Sequence, residues 1–170
     1  MINKFIAIGY HGALESDINK ILDGIRFDLN PGDRFLGQGF YMWRDSYFRA
    51  KAWRGIGEKR ENVEKRSVVR SDILAERENT LNFTSYKWNN ELNILKMYSE
   101  VSTSMSFGEF LDYLIYKKDL SINLIVISDL TAKPKTIKVD HNIEFAYTDI
   151  QMCAKNQKCI VKTERVSDDN

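Results

Sequence analysis

Proline, cysteine and histidine are all scarce, with two of each in 170 residues. Two prolines leave no proline-rich linker to divide the chain. Cys153 and Cys159 are near enough in sequence to pair, but two cysteines in a chain this long do not make a disulfide framework. Two histidines without clustered partners leave no zinc ligand set, so no metal is expected. Net charge is also small, at +1, which removes any global attraction to nucleic acid or to a membrane surface. Apolar runs such as Leu124 to Ile127 are too short to cross a bilayer, so no membrane association is expected. The first residues, MINKFIAIGYHG, carry one lysine and a broken apolar stretch. They make a poor signal peptide and a good first strand, and a cytoplasmic location is the expectation.

What is present is a normal globular composition, 43% hydrophobic and 29% charged. That suits one domain with a real core, over residues 1–165, followed by a frayed acidic tail over 166–170. Phe5 to Tyr10 reads as a strand ending at His11. Ile18, Ile21, Leu22 and Ile25 then recur at helical spacing, with Ser16 or Asp17 as cap and Gly24 as terminator. A loop holding Pro31 to Asp33 leads to a compact apolar segment, Phe35 to Trp43, and Asp45 or Ser46 can cap a helix running through Trp53.

Further along, Val68 to Leu74 is a possible strand, and Trp88, Leu92, Leu95 and Tyr98 mark an amphipathic helix. Ser106 with Glu109 forms a capping box ahead of Phe107, Phe110, Leu111 and Leu114. Leu124 to Ser128 is a strand, and Ile150 to Ala154 with Cys159 to Thr163 read as a hairpin closed around Lys155 to Lys158. Mixed helices and strands without repeating strand–helix units point to an α+β fold.

Two short segments carry chemistry. His11 ends an apolar strand and is followed at once by Gly12, so a rigid backbone aims an imidazole at a cleft and a ligand can approach the glycine backbone closely. The second segment is LGQGFYMW, Leu36 to Trp43, where two glycines precede aromatics and a capped helix begins. Tyr41 there offers a flat electron-rich ring, matched to a flat cationic heterocycle by a cation–π attraction of about 0.5–2 kcal/mol. The glycine spacing does not fit the phosphate fingerprint of dinucleotide-binding folds.

Together, YHG and LGQGFY thirty residues on, followed by a helix with Ala50, Ala52 and Trp53, resemble the ADP-ribosyltransferase superfamily. The similarity is to its histidine–tyrosine branch, which includes diphtheria-toxin-like and poly(ADP-ribose) polymerase-like catalytic domains and many small bacterial toxins. The resemblance implies a single domain of two packed, mainly antiparallel sheets around an NAD⁺ cleft with flanking helices. It implies that His11 bonds ribose hydroxyls of NAD⁺, that Gly12 holds the nicotinamide amide through its backbone, and that Tyr41 stacks on the nicotinamide ring. Trp53 or Tyr47 would close the ring from the other side.

The branch has a third polar position, often glutamate, at the start of a late strand. Its match here is Gln151, in DIQMCAKN. Glutamine can position a ribose hydroxyl but supplies no negative charge, and losing one well-aimed charge costs about 2.7–4 kcal/mol in comparable sites. Glu144, seven residues earlier, is one source of that charge and equally an ordinary surface carboxylate. The arginine–serine–glutamate branch is disfavoured, because Met152 and Cys153 follow Gln151 where a glutamate would be needed.

From Arg49 to Arg70 eight basic residues face three glutamates. Arg54, Lys59 and Arg60 within that run are candidates for the acceptor surface, which could be protein, RNA or DNA; interleaved Glu58, Glu61 and Glu64 equally describe a solvated helix and loop. Arg44 or Lys51 could reach the NAD⁺ pyrophosphate. The implied activity is mono-ADP-ribosyl transfer from NAD⁺, as an intracellular toxin or phage-defence effector with an antitoxin partner. NAD⁺ hydrolysis and a catalytically weak NAD⁺-binding module are the alternatives.

Overall fold

The computed structural model describes residues 3–28, 35–53, 65–84, 89–101, 104–128, 135–140 and 143–167. Strand β1 (Lys4–Leu14) runs straight into helix α1 (Glu15–Asp23), and β2 (Phe40–Arg44) into the short α2 (Tyr47–Ala52). Next come β3 (Arg66–Glu76), β4 (Thr80–Asn82), α3 (Asn89–Val101) and α4 (Phe107–Asp112), the last continued by a π-type turn over Tyr113–Lys117. Strands β5 (Leu124–Ser128), β6 (Lys135–Asp140), β7 (Ile143–Tyr147), β8 (Ile150–Ala154) and β9 (Ile160–Arg165) complete the chain. The mixed α+β class is as expected, with one seven-stranded sheet in the order β4-β5-β8-β2-β1-β3-β9 and a separate β6-β7 ribbon.

The sheet is not flat. Strands β5 and β3 stand four positions apart, about 19 Å in a flat sheet at the usual strand spacing. Yet Asn79, three residues past the end of β3, accepts a 2.8 Å hydrogen bond from the Asn123 amide, just before β5. Cys159, next to the Ile160 that pairs with Ile73 of β3, lies 3.3 Å through its Sγ from the Asn123 carbonyl. The sheet therefore folds over and brings its two ends together. The weakest joint is between β1 and β2, which share only the pairs Gly9–Arg44 and Tyr10–Trp43, whereas β1 and β3 pair along eleven residues.

Folding over creates one inner core and two outer ones. Inside lie Val69, Ile73 and Ala75 of β3 with Phe40, Met42, Leu124, Val126, Met152 and Ala154, and Ile18 of α1 joins them. Outside β5 and β8, Ile125, Ile127 and Cys153 pack beneath Ile94, Phe107, Phe110 and Leu111 of α3 and α4. Outside β1 and β3, Val68 packs with Trp43 and with Ala50 of α2. Alternation along a strand explains the partition, because neighbouring residues such as Val68 and Val69 must serve opposite faces.

Local signals held in several places. Ser106 caps α4 with a reciprocal Glu109 bond, and Gly24 ends α1. Others need correcting. Helix α1 begins at Glu15, directly after β1, so Leu14 occupies the N-cap position in place of Ser16 or Asp17. Ser46 does sit at the α2 N-cap, without a side-chain cap bond.

The late hairpin is also corrected. Strand β8 is paired on both edges, by β2 and by β5, so β9 crosses to the far edge and pairs with β3. Ordered pairing extends beyond residue 165, since the Val166 amide donates to the Val68 carbonyl. Among the described residues, no helix is long and apolar enough to cross a membrane, and no cluster of three or more metal-ligating side chains occurs.

Candidate functional site

The site forms where β1 and β2 part company. Register pairs them only as far as Tyr10 and Trp43, so the next residues, His11 and Gly12 on one side and Tyr41 on the other, flank a divergence. The His11 side chain spans it, with Nδ1 2.6 Å from the Tyr41 carbonyl oxygen. A carbonyl can only accept, so Nδ1 carries the hydrogen of this bond. The imidazole also packs on Phe40, ring centres 4.7 Å apart.

The backbone of Gly12 faces the same gap. The Ile8 carbonyl accepts from Asp45, just after β2, and alternate residues of a strand direct their polar groups to the same neighbour. Gly12, four residues on, therefore turns its amide and carbonyl toward β2. Its carbonyl takes one long bond, 3.3 Å, from Arg66 Nη2, which leaves a second lone pair. The missing side chain has a separate cause: a Cβ on Gly12 would stand 1.9 Å from the Ala50 carbonyl oxygen. Glycine is needed here for α2 to sit against β1.

His11 and Tyr41 are close through backbone, while their side chains serve opposite faces. His11 pairs with inward-facing Val69, and Tyr41 pairs with outward-facing Cys153. The Tyr41 ring is half-buried and tied at its tip, where the hydroxyl donates to the Gly37 carbonyl at 2.8 Å and accepts from the Leu36 amide at 3.1 Å. Gly37 and Gly39 adopt φ of 73° and 145°, and a Cβ on Gly39 would stand 2.5 Å from Cys153 Sγ. Both glycines are required by the turn.

Gln151 lies on the outer face with Tyr41, directly opposite Trp43 on β2 and Ile127 on β5. Trp53, 37% exposed, packs edge-on against Trp43 with ring centres 5.3 Å apart, and Tyr47 packs edge-on against Tyr10 at 6.3 Å. Trp53 thus packs on Trp43, two residues from Tyr41 on the same strand, and Tyr47 packs on Tyr10, which pairs with Trp43. Arg44 falls on the other face, over the Phe5 ring and paired with Asp45. Lys51 bonds the Tyr47 hydroxyl. Arg54, Lys59 and Arg60 lie outside the described residues, as does the side chain of Glu144, whose backbone in β7 pairs with Lys138.

Two clusters escaped the sequence reading. Asp149, two residues before Gln151 and with its side chain 9% exposed, pairs with Arg49 of α2 at 3.4 Å. The Arg49 guanidinium lies over Trp43 at 4.8 Å and Trp53 at 5.9 Å. This puts a carboxylate on the Gln151 side of the sheet.

The second is Lys155, whose fully buried ammonium donates to the Leu36 carbonyl at 2.5 Å, the Gln38 carbonyl at 2.6 Å and Asp112 Oδ1 at 3.0 Å. Asp112 Oδ2 in turn accepts from the Gln38 amide at 2.8 Å. Tyr116 donates to the Lys155 carbonyl, and burial first, then the Asp112 charge, pushes its phenol up to about 12, so it stays protonated. Lys155 reads as an ordinary turn lysine because its partners lie 43 and 117 or more residues away.

A cavity of about 340 Å³ lies elsewhere, lined by Tyr10, Arg70, Glu164, Arg165, Val166 and Ser167. Its walls are already engaged, with Arg70 paired to Asp72 and Glu164. Comparison with protein-family models, curated proteins and solved structures finds no match for this chain.

Proposed function

We propose that the chain binds NAD⁺ at the divergence of β1 and β2 and acts as a mono-ADP-ribosyltransferase toward a macromolecular acceptor. The observation that carries this reading is the meeting of the His11 side chain with the Gly12 and Tyr41 backbones at one break in the sheet, thirty residues apart in sequence. The Gly12 amide and carbonyl form a donor–acceptor pair complementary to a carboxamide. The His11 ring would bond a ribose hydroxyl, and Tyr41, clamped by its hydroxyl, would offer a ring to the nicotinamide. The resemblance implies two packed sheets around such a cleft; here one seven-stranded sheet folds over on itself.

In the reaction the ribose C1′–N bond breaks and its electron pair leaves with neutral nicotinamide. An acceptor oxygen or nitrogen then bonds C1′ and loses its proton. Gln151 would hold a ribose hydroxyl, while Asp149, two residues before it, is paired with Arg49. Slow turnover is therefore expected, and Gln151→Glu should accelerate nicotinamide release. A role as a toxin or phage-defence effector, with an antitoxin partner, follows from the resemblance.

The test is incubation with labelled NAD⁺ and a cell lysate, with nuclease and protease arms to define the acceptor. Label on macromolecules supports transfer. Free ADP-ribose alone would reassign the chain to NAD⁺ hydrolysis, and binding without nicotinamide release would reassign it to a binding module.

A further inference from the structure

The glycine loop before β2 is held by a device that lies outside the motif. Lys155 has three N–H donors and three acceptors, two of them loop carbonyls and the third Asp112. Asp112 uses its other oxygen on the Gln38 amide. The same loop bonds the Tyr41 hydroxyl through Leu36 and Gly37. Lys155 directly follows β8, the strand bearing Gln151, and Asp112 ends α4.

A buried ion pair is a poor way to add stability, since desolvation offsets most of its attraction, and apolar replacements are often neutral. A fully bonded network instead fixes one geometry, because each displaced loop carbonyl would strand a buried charge. Here the fixed geometry is the height of the loop and thus the tilt of Tyr41.

We propose that Lys155 and Asp112 are positioning residues that set the Tyr41 ring for nicotinamide by clamping the loop over residues 36–38. The role in ligand binding rests on the NAD⁺ reading above; the clamp itself does not. Neither side chain touches the gap between β1 and β2, so their effect runs through the loop.

The experiment uses the charge-neutral double variant Lys155→Met/Asp112→Asn, which retains an acceptor for the Gln38 amide, beside Lys155→Arg. Hydrogen exchange read by mass spectrometry on peptides covering 35–41 should speed up at least tenfold in the double variant, with α1 and β3 peptides unchanged. Affinity for NAD⁺ should fall at least tenfold in the wild-type background and less than twofold in a Tyr41→Ala background. A purely structural role would weaken binding equally in both. Unchanged loop exchange overturns the clamp. Faster loop exchange with unaltered NAD⁺ affinity overturns the positioning role. Absence of NAD⁺ binding by the wild-type chain overturns the functional reading and the positioning role built on it, while the exchange result still decides the clamp.

Discussion

Replacing Gly12 with alanine tests why the motif contains glycine at all. The new Cβ would stand 1.9 Å from the Ala50 carbonyl oxygen and 2.6 Å from its carbon, so ordinary contact near 3.4 Å requires α2 to retreat by about 1.5 Å. The obstructing atoms are backbone, which cannot rotate away. The cost belongs at the upper end of overpacking, about 3 kcal/mol.

For a chain of this length that lowers Tm by about 6–12 °C. Gly24→Ala is the internal control. A Cβ there meets nothing within 4 Å and φ is 167°, so alanine fits and Tm should hold or rise slightly. Thermal unfolding by circular dichroism reads both variants. A Gly12→Ala protein that melts within about 2 °C of wild type would refute the packing account and leave ligand approach as the reason for the glycine.

Three further outcomes follow from named contacts. Ser106→Ala removes the cap bond to the Glu109 amide and should cost about 1 kcal/mol, seen as a lower denaturation midpoint with unchanged slope; an unchanged midpoint would contradict the capping box. Gly39→Ala combines φ of 145° with a Cβ 2.5 Å from Cys153 Sγ and should destabilise by about 2–4 kcal/mol, so wild-type stability would contradict the turn geometry.

Acid titration is the third. Hydrogen bonds from Ser67 and then Arg165 hold the Glu15 carboxyl below its usual 4.5, and the Ser106 amide and hydroxyl do the same for Glu109. A folded-state value below the unfolded one contributes stability above pH 4.5 that is lost as pH falls through the folded value. Tm should therefore be level above about pH 5 and fall below it, less steeply in Glu15→Gln/Glu109→Gln. Equal slopes in variant and wild type would place the acid sensitivity elsewhere.

The sequence was most readable where a signal acts within one turn or one strand. Leu124–Ser128 is a strand as its apolar run indicates, and Ser106 meets Glu109 across a single turn. Partner choice was not local. The runs before and after Lys155 look like hairpin arms, but β8 is claimed by β2 and β5 because Met152 and Ala154 must enter the inner core.

Part of the basic run serves the fold itself: Arg49, Arg66 and Arg70 bond Asp149, the Trp53 carbonyl, Asp72 and Glu164. The acceptor candidates Arg54, Lys59 and Arg60 lie outside the described residues. At the candidate site, His11, Gly12 and Tyr41 stand out in the sequence because of their adjoining glycines, and the fold brings the His11 side chain to the Tyr41 carbonyl. Asp112, Asp149 and Lys155 do not stand out, since their roles exist only once distant strands meet.

Nicotinamide release from NAD⁺ by the purified wild-type chain, with His11→Ala and Tyr41→Ala run beside it, tests the central claim most directly. The account predicts measurable release by wild type, falling about a hundredfold or more in each variant when assayed well below that variant's own Tm. Release that survives both substitutions would place the chemistry elsewhere in the chain, and no release or NAD⁺ binding by the wild type would contradict the account.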